Sequence, residues 1–268
     1  MRLTRHLRGG LTALVLAVTF GAAPETTEDG FVALFDGRDL SRWKVPAGDN
    51  GHWKVLGGVI DYDARSEAPG NKNLVSDSEY GDFVLRLEWR IKETPYVNPY
   101  VPYVLPDGTH ARGVDGTPLK FSLPDSDSGV YLRDMGGKSQ VNIWCWPIGS
   151  GEVYGYRMDE AMPPGVRAGV TPRTQADKPV GEWNAFEIRL RGDRLTVILN
   201  GKTVIENAEL PGLTPRGPIA LQHHGAFQNG KFTGPPSLVQ FRNIRIKELK
   251  APVPGIFVPE PQIRKRQQ

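Results

Sequence analysis

Alternation of apolar and polar residues with a period of two dominates the chain, and helical periodicity is nearly absent. From Phe83 to Ile91 every second residue is apolar, while charged residues occupy most of the positions between them. Successive side chains of a strand point to opposite faces of its sheet. The pattern therefore predicts a strand with one buried face and one face in water.

The same alternation returns twice in the second half of the chain. Ala185 to Arg191 and Leu195 to Leu199 each repeat it, and the turn signal Gly192–Asp193 lies between them. Asn200–Gly201 then favours a type I′ hairpin turn, because both residues tolerate positive φ. These residues predict three consecutive strands in a meander.

Short strands are predicted along most of the remaining chain, at Trp53–Leu56, Gly58–Tyr62, Gly129–Arg133, Gln140–Trp144, Val153–Arg157 and Ile219–His223. The last strand, Leu238 to Leu249, keeps its apolar residues on one side only if a β-bulge lies near Arg242–Asn243. Many short strands separated by turn signals are typical of an all-β protein. We therefore expect an antiparallel β-sandwich or jelly roll.

Two stretches depart from this rhythm. Residues 93–127 contain six prolines and little alternation, and residues 162–180 are similarly rich in Pro and Gly. A loop as long as the first is usually functional or disordered. Neither stretch has the character of an interdomain linker, so we expect one domain over residues 24–250, followed by a Pro-rich basic tail at 251–268.

The N-terminus predicts export. Three Arg precede an apolar run from Leu11 to Phe20, and small residues follow it, which is the organisation of a signal peptide ending near residue 23. The run is too short for a permanent membrane span. Without residues 1–23, 30 basic residues balance 30 acidic ones, so charge gives no reason to expect nucleic acid as a partner. The single cysteine, Cys145, excludes an internal disulfide.

Polar and aromatic residues concentrate between Ser126 and Tyr156, where one sheet face is predicted to carry Gln140, Asn142, Trp144 and Tyr154. Amides can bond sugar hydroxyls, and aromatic faces can cover the apolar side of a sugar ring. The alternative is a half-exposed sheet with ordinary polar residues. We interpret the pattern as a carbohydrate-binding face.

A second candidate is the pair His223 and His224, which ends a predicted strand after Gln222. Adjacent strand residues point to opposite faces, so at most one of the two histidines is expected in a site. Gly225 permits a sharp turn directly afterwards, which favours His224.

Seven motifs, in this order, make the chain resemble the 3-keto-disaccharide hydrolase domain family: FVALFDGRDLSRWK, WKVLGGVIDYD, LVSDSEYGDFVLRLEWRI, DSGVYLRD, GEWNAFEIRLRGDRLTVILNG, GPIALQHHG and VQFRNIRIKEL. The resemblance covers Phe31 to Leu249 and implies a concanavalin A-like jelly roll. It also implies cleavage of glycosides that are already oxidised at C3. A ketone there acidifies the C2–H, so that a base can remove the proton and expel the C1 substituent, after which water can add.

The resemblance also implies roles for individual residues. His224 matches a family histidine and would transfer protons or bind a divalent metal; Arg133 matches a family arginine and would stabilise the enolate. Family members often carry acids where Asn142 and Cys145 stand, and Glu152 is the nearest acid that would replace them. The substrate-binding residues would be Gln140, Asn142, Trp144, Tyr154 and Gln222. The alternative is a non-catalytic carbohydrate-binding module on the same scaffold.

Overall fold

The structure is a computed structural model that describes residues 29–135 and 137–250. The predicted signal peptide and the Pro-rich tail lie outside the described residues. No helix of the described part has the length and apolar character needed to cross a membrane.

The described residues contain seventeen strands and two short helices. The strands are β1 (Val32–Ala33), β2 (Trp43–Lys44), β3 (Lys54–Leu56), β4 (Val59–Asp61), β5 (Leu74–Tyr80), β6 (Phe83–Ile91), β7 (Tyr96–Pro102), β8 (Lys120–Asp125), β9 (Asp127–Leu132), β10 (Gln140–Trp144), β11 (Asn184–Arg191), β12 (Arg194–Leu199), β13 (Lys202–Glu209), β14 (Gly217–Leu221), β15 (Phe227–Gln228), β16 (Lys231–Phe232) and β17 (Val239–Glu248). The helices are α1 (Tyr154–Arg157) and α2 (Pro164–Gly169).

Two antiparallel sheets form the sandwich. The first has eight strands in the order β13-β12-β11-β6-β17-β4-β3, with β1 paired to β17. The second has five strands in the order β10-β9-β14-β5-β2. The hairpins β7–β8 and β15–β16 stand apart from both sheets. The architecture confirms the predicted all-β sandwich.

The core lies between the two sheets. On β6 every second side chain is buried, and Leu85 is paired directly with Ile188 of β11. The five-stranded sheet contributes Val130, Val141 and Ile143 to the same apolar cluster. Because these residues use one face of the second sheet, its other face is left free to carry a site.

The meander and the bulge are confirmed. The strands β11, β12 and β13 are neighbours, and Asn200 and Gly201 both have positive φ, at 51° and 81°. The register of β17 against β6 shifts between Arg242 and Arg245, where Asn243 has a φ of 53°. Alternation in the sequence was sufficient to predict these strands and the bulge, because each strand has a single buried face.

The long stretch at residues 93–127 is largely regular, which corrects the expectation of a loop. The strands β7 and β8 form a two-stranded hairpin, called here the ribbon, that is extended by isolated bridges at Val104–His110 and Arg112–Pro118. Proline is tolerated because each strand of an isolated pair has an unpaired edge. The prolines obscured the alternation in the sequence.

The strand predicted at Val153–Arg157 is wrong, because these residues form a helical turn. The backbone N–H groups of Tyr156 and Arg157 both donate to the Val153 carbonyl, at 3.1 Å each. A five-residue alternation fits one turn of helix as well as a short strand. Gly155 lets the turn pack closely, since a Cβ there would lie 2.5 Å from Lys138 Cα.

Candidate active site

A cavity of about 410 Å³ lies on the face of the five-stranded sheet that points away from the core. We call it the cleft. Its lining residues are Asn98, Asp127, Gln140, Asn142, Trp144, Trp146, Tyr154, Gln222, His224 and Pro235. The volume is within the range of small-molecule sites, roughly 300–1,000 Å³.

Strand register explains why these side chains converge. On β9 and β10, Asp127 is paired with Trp144, and Gly129 is paired with Asn142. Paired residues of antiparallel strands point to the same face. The next strand, β14, ends at Leu221, and the Gln222 N–H donates to the Gly129 carbonyl at 2.9 Å. The sheet therefore brings side chains from three neighbouring strands to one surface.

A glutamine pair forms one part of the cleft floor. Gln140 Nε2 donates to Gln222 Oε1, and Gln222 Nε2 donates to the Tyr131 hydroxyl at 3.3 Å. Gln140 reaches its partner by lying across Gly129, where a Cβ would be 2.8 Å from Gln140 Cδ. Glycine at position 129 thus makes room for the pair.

Substituting Gly129 with Ala is expected to break this pair and to destabilise the protein by about 1–3 kcal/mol, the usual cost of leaving buried polar groups without partners. Side-chain amide NMR signals of Gln140 and Gln222 should shift. Gly165→Ala is the matched control, because no atom lies within 4 Å of a Cβ there and alanine favours the helix. Unchanged amide signals in Gly129→Ala would contradict the assigned role of Gly129.

Three aromatic rings form a wall of the cleft. Trp144 and Trp146 stack with centroids 4.0 Å apart, and the Tyr154 ring meets both edge-on, at 6.1 and 6.2 Å. The indole N–H groups donate to the Gly149 carbonyl and to Asp125 Oδ2, at 2.8 and 3.0 Å. Both indoles are fixed by these bonds, so the aromatic wall is formed before any ligand binds.

His224, two residues beyond Gln222 of the glutamine pair, is held in one orientation. Its Nδ1 is 2.7 Å from the Pro235 carbonyl, and its backbone N–H donates to Ser237 Oγ at 2.6 Å. A carbonyl oxygen only accepts, so Nδ1 carries the proton and Nε2 of the neutral ring is the basic nitrogen. His224 Nε2 lies 3.9 Å from Asp127 Oδ2, and its side chain keeps 40% exposure.

Asp127 has an environment that favours its protonated form. Burial raises its pKa to about 7; the nearby His224 lowers it, and the Asp125 carboxylate raises it further. Its Oδ1 is buried with no hydrogen-bond partner among the described residues. A carboxyl group that exchanges its proton near neutral pH is suited to acid–base chemistry.

The raised pKa of Asp127 should make stability depend on pH. The folded state holds a proton that the unfolded chain, with a pKa near 3.8, releases. The free energy of unfolding should therefore fall as pH rises from about 4 to 7. Asp127→Asn should lack this component, so it should gain stability relative to the wild type over that window. Urea denaturation at pH 4.5 and 8 measures the difference, and parallel pH curves would contradict it.

Asp125 anchors the neighbouring walls of the cleft. Its buried carboxylate accepts from Asn98 Nδ2 at 2.8 Å, from Trp146 Nε1 at 3.0 Å and from the Cys145 backbone N–H at 3.3 Å. Burial raises the pKa of the Cys145 thiol to about 12. The thiol is therefore neutral and does not take the place of an acid.

Arg133 does not belong to the cleft, which corrects its predicted role. It lies at the end of β9 with a φ of 57°, and its side chain is 1% exposed. The guanidinium donates to the carbonyls of Gly81, Gly192 and Thr214 and is paired with Asp82. Its hydrogen bonds are used to join turns, so it cannot stabilise an enolate in the cleft.

Glu152 does not have its predicted role as the acid that replaces those missing at positions 142 and 145. Its carboxylate is completely buried and is paired with Arg157 Nε. It does not line the cleft. The acid nearest to the cleft chemistry is instead Asp127.

The other predicted residues come together as expected. Gln140, Asn142, Trp144, Tyr154, Gln222 and His224 all line the cleft. His223 points elsewhere, as adjacent strand positions require, and its Nδ1 is 2.6 Å from the Tyr62 hydroxyl. Asp127 was missed, although the alternation of β9 places it on the same face as Gly129 and Tyr131. Asn98 was missed because its strand was read as a loop.

The donor set does not fit a zinc site built from His, Cys, Asp and Glu side chains. Protein sites for zinc usually have at least three converging ligands. Within residues 29–135 and 137–250, no three His, Cys, Asp or Glu side chains are grouped in this way.

A larger cavity, about 580 Å³, lies on the outer face of the eight-stranded sheet. Surface ion pairs such as Arg86–Glu187, at 2.6 Å, line it, and it contains no histidine. Its chemistry is that of an ordinary charged sheet surface, so the cleft is the better candidate.

Comparison with known proteins agrees with the fold. The family described as a 3-keto-alpha-glucoside-1,2-lyase-like domain matches residues 30–247. Among curated proteins, none matches the chain significantly in sequence.

Two solved structures of candidate glycosyl hydrolases from Parabacteroides distasonis ATCC 8503 are similar to the chain. One is 22% identical with a TM-score of 0.53, covering 82% of this chain and 84% of its own. The other is 18% identical with a TM-score of 0.52, covering 84% and 98%. At these identities the likeness shows a shared sandwich fold.

Proposed function

Because the chain belongs to the 3-keto-alpha-glucoside-1,2-lyase-like domain family, we propose that its cleft binds glycosides oxidised at C3 and cleaves them. The observation that carries the proposal is the pair His224 and Asp127. An oriented imidazole and a carboxyl group with a raised pKa lie 3.9 Å apart beside an aromatic wall. This arrangement supplies both a base and an acid.

The proposed reaction is an elimination. His224 Nε2 takes the C2 proton, the C2–H electrons form a C1=C2 bond, and the C1–O bond breaks. The protonated Asp127 gives its proton to the departing oxygen. His224 can then return a proton to Asp127 across the short gap, which restores both groups. Addition of water to the C1=C2 bond completes a net hydrolysis.

The rest of the cleft would orient the sugar. The stacked Trp144 and Trp146 would cover its apolar face, and the edge-on Tyr154 would close one side. Amide groups of Asn98, Asn142 and the glutamine pair would bond the hydroxyls. An amide N–H directed at the C3 oxygen would stabilise the charge that develops there after proton removal.

A non-catalytic carbohydrate-binding module is the second candidate. The observation that favours it is the absence of acids on β10 and directly after it, where Asn142 and Cys145 stand. An aromatic wall with amides would bind a sugar without any proton transfer. The raised pKa of Asp127 favours the enzyme, because simple binding has no use for a carboxyl group that titrates near neutrality.

The experiment that separates the two candidates uses 3-keto-trehalose. Incubation with the purified protein, with and without chelator, should release glucose and a dehydrated or rehydrated 3-keto sugar at the same rate in both cases. Binding of trehalose without any turnover of the oxidised sugar would reject the enzyme and leave the binding module.

We also propose that the protein is exported, on the basis of its N-terminal sequence. Expression in a bacterial host followed by N-terminal sequencing of the extracellular and periplasmic fractions tests this. A mature chain that begins near residue 24 is expected, and a full-length chain confined to the cytoplasm would contradict it.

A further inference from the structure

The ribbon extends one wall of the cleft. Asn98 of β7 lines the cavity and is paired with Leu123 of β8. Further along the same two strands, Val101 is paired with Phe121. Residues paired across antiparallel strands share a face. The cleft-facing side of the ribbon thus continues outward from Asn98 towards Phe121.

Exposed apolar side chains follow this face. The Tyr103 and Phe121 rings lie 5.6 Å apart, and the Tyr103 N–H donates to the Leu119 carbonyl at 3.1 Å. Tyr103 and Leu119 are both 47% exposed, and Phe121 is 38% exposed. We call these three residues the ribbon strip. Leu119 lies four residues beyond Leu123, about 13 Å along the strand.

The ribbon is fixed to the body at its far end as well. Arg157 Nη1 donates to the Gly108 carbonyl at 3.3 Å and lies 3.0 Å from His110 Nε2. Gly108 approaches α2 so closely that a Cβ would be 2.9 Å from the Arg167 carbonyl oxygen. Arg157 also lies over the ring of Tyr154, a cleft residue, at 5.3 Å. The strip is therefore held in place relative to the cleft.

The strip itself is uncharged, and its neighbour Lys120 is directed to the other ribbon face, where its Nζ lies 5.2 Å from the Tyr100 ring. Exposed aromatic rings without charge suit the apolar faces of neutral sugars. Resting on the proposed function, we propose that the ribbon strip binds the sugar units beyond the scissile bond, so that the substrates extend to neutral oligosaccharides longer than a disaccharide.

The test compares short and long ligands by calorimetry, with maltose against maltohexaose and cellobiose against cellohexaose. In at least one pair the hexasaccharide should bind about tenfold tighter than its disaccharide. The double variant Tyr103→Ala/Phe121→Ala should lose this gain. Tyr100→Ala is the matched control, because Tyr100 is 69% exposed on the opposite ribbon face, and it should keep the gain.

Equal affinities within both pairs, or no binding in either, would overturn the proposal. The proposal would also be overturned if the hexasaccharide gain is absent and sedimentation shows that the wild type is a dimer while the double variant is a monomer. The ribbon strip would then bind a second copy of the chain. Turnover of 3-keto-trehalose judges the proposed function separately. Its aglycone is a single glucose, so the ribbon strip can fail while the cleft chemistry stands.

Discussion

His224→Ala is expected to lower the rate of glucose release from 3-keto-trehalose by roughly 10²–10⁴-fold, the usual contribution of a positioned base. The loss should fall on kcat more than on KM, because the ring contributes proton transfer rather than a large contact area. The bond from Nδ1 to the Pro235 carbonyl leaves Nε2 of the neutral ring as the nitrogen that accepts the proton.

The neighbouring histidine provides the matched control for this prediction. His223→Gln should keep kcat within a fewfold of the wild type, because His223 contacts Tyr62 and does not line the cleft. Thermal melts of both variants check that each is folded. A His224→Ala variant with the wild-type rate would remove His224 from the mechanism.

Arg157→Met is expected to destabilise the protein by about 3–5 kcal/mol, the cost of leaving a buried charge without its partner. Arg157 and Glu152 both have no exposed side-chain surface, and the guanidinium is the partner of Glu152. Burial lowers the pKa of Arg157 to about 10, so the guanidinium stays charged at neutral pH. Urea denaturation of the purified variant measures the loss.

A second variant separates the ion pair from simple packing. Glu152→Gln combined with Arg157→Met removes both charges and should recover most of the lost stability. The remaining deficit reflects the contacts of Arg157 with Gly108 and His110 on the ribbon. If Arg157→Met alone lowers the free energy of unfolding by less than about 1 kcal/mol, Glu152 is already neutral in the folded protein.

The fold was largely predictable because its strands expose one face to water. The alternation in β6, β11 and β12 was strong enough to predict each strand, and the unusual backbone at Asn200 and Asn243 had clear turn and bulge signals. The ribbon was not predictable, because prolines at positions 99, 102 and 124 hide its alternation. The ribbon is regular because β7 and β8 pair with each other, although each of these strands also has an unpaired edge.

The site was predictable where it follows one strand and not where it depends on neighbours. The face of β10 gave Gln140, Asn142 and Trp144 from alternation alone. Asp127 is directed into the cleft by its pairing with Trp144 on another strand, and burial there raises its pKa. Arg133 and Glu152 looked suitable by residue type, but their buried partners are revealed only by the tertiary structure.

The position of Asp127 also bears on the acids that β10 lacks. Its register partner Trp144 lies between Asn142 and Cys145, the two positions where related chains often carry acids. The carboxyl group is thus supplied to the same part of the cleft from the adjacent strand. We infer that Asp127 of β9 supplies the acid that related chains often carry at the positions of Asn142 and Cys145. The acid then comes from a different strand but lies at a similar place in the sheet.

The proposed elimination is tested most directly by following 3-keto-trehalose by ¹H NMR in D₂O with the wild type, with His224→Ala and without protein. The wild type is expected to release glucose and to give a 3-keto product that has lost its C2 proton and carries deuterium at C2 once water has added, with both changes suppressed in His224→Ala. Glucose release with the C2 proton retained would contradict elimination. Exchange at C2 no faster than in the protein-free sample, without release, would contradict catalysis altogether.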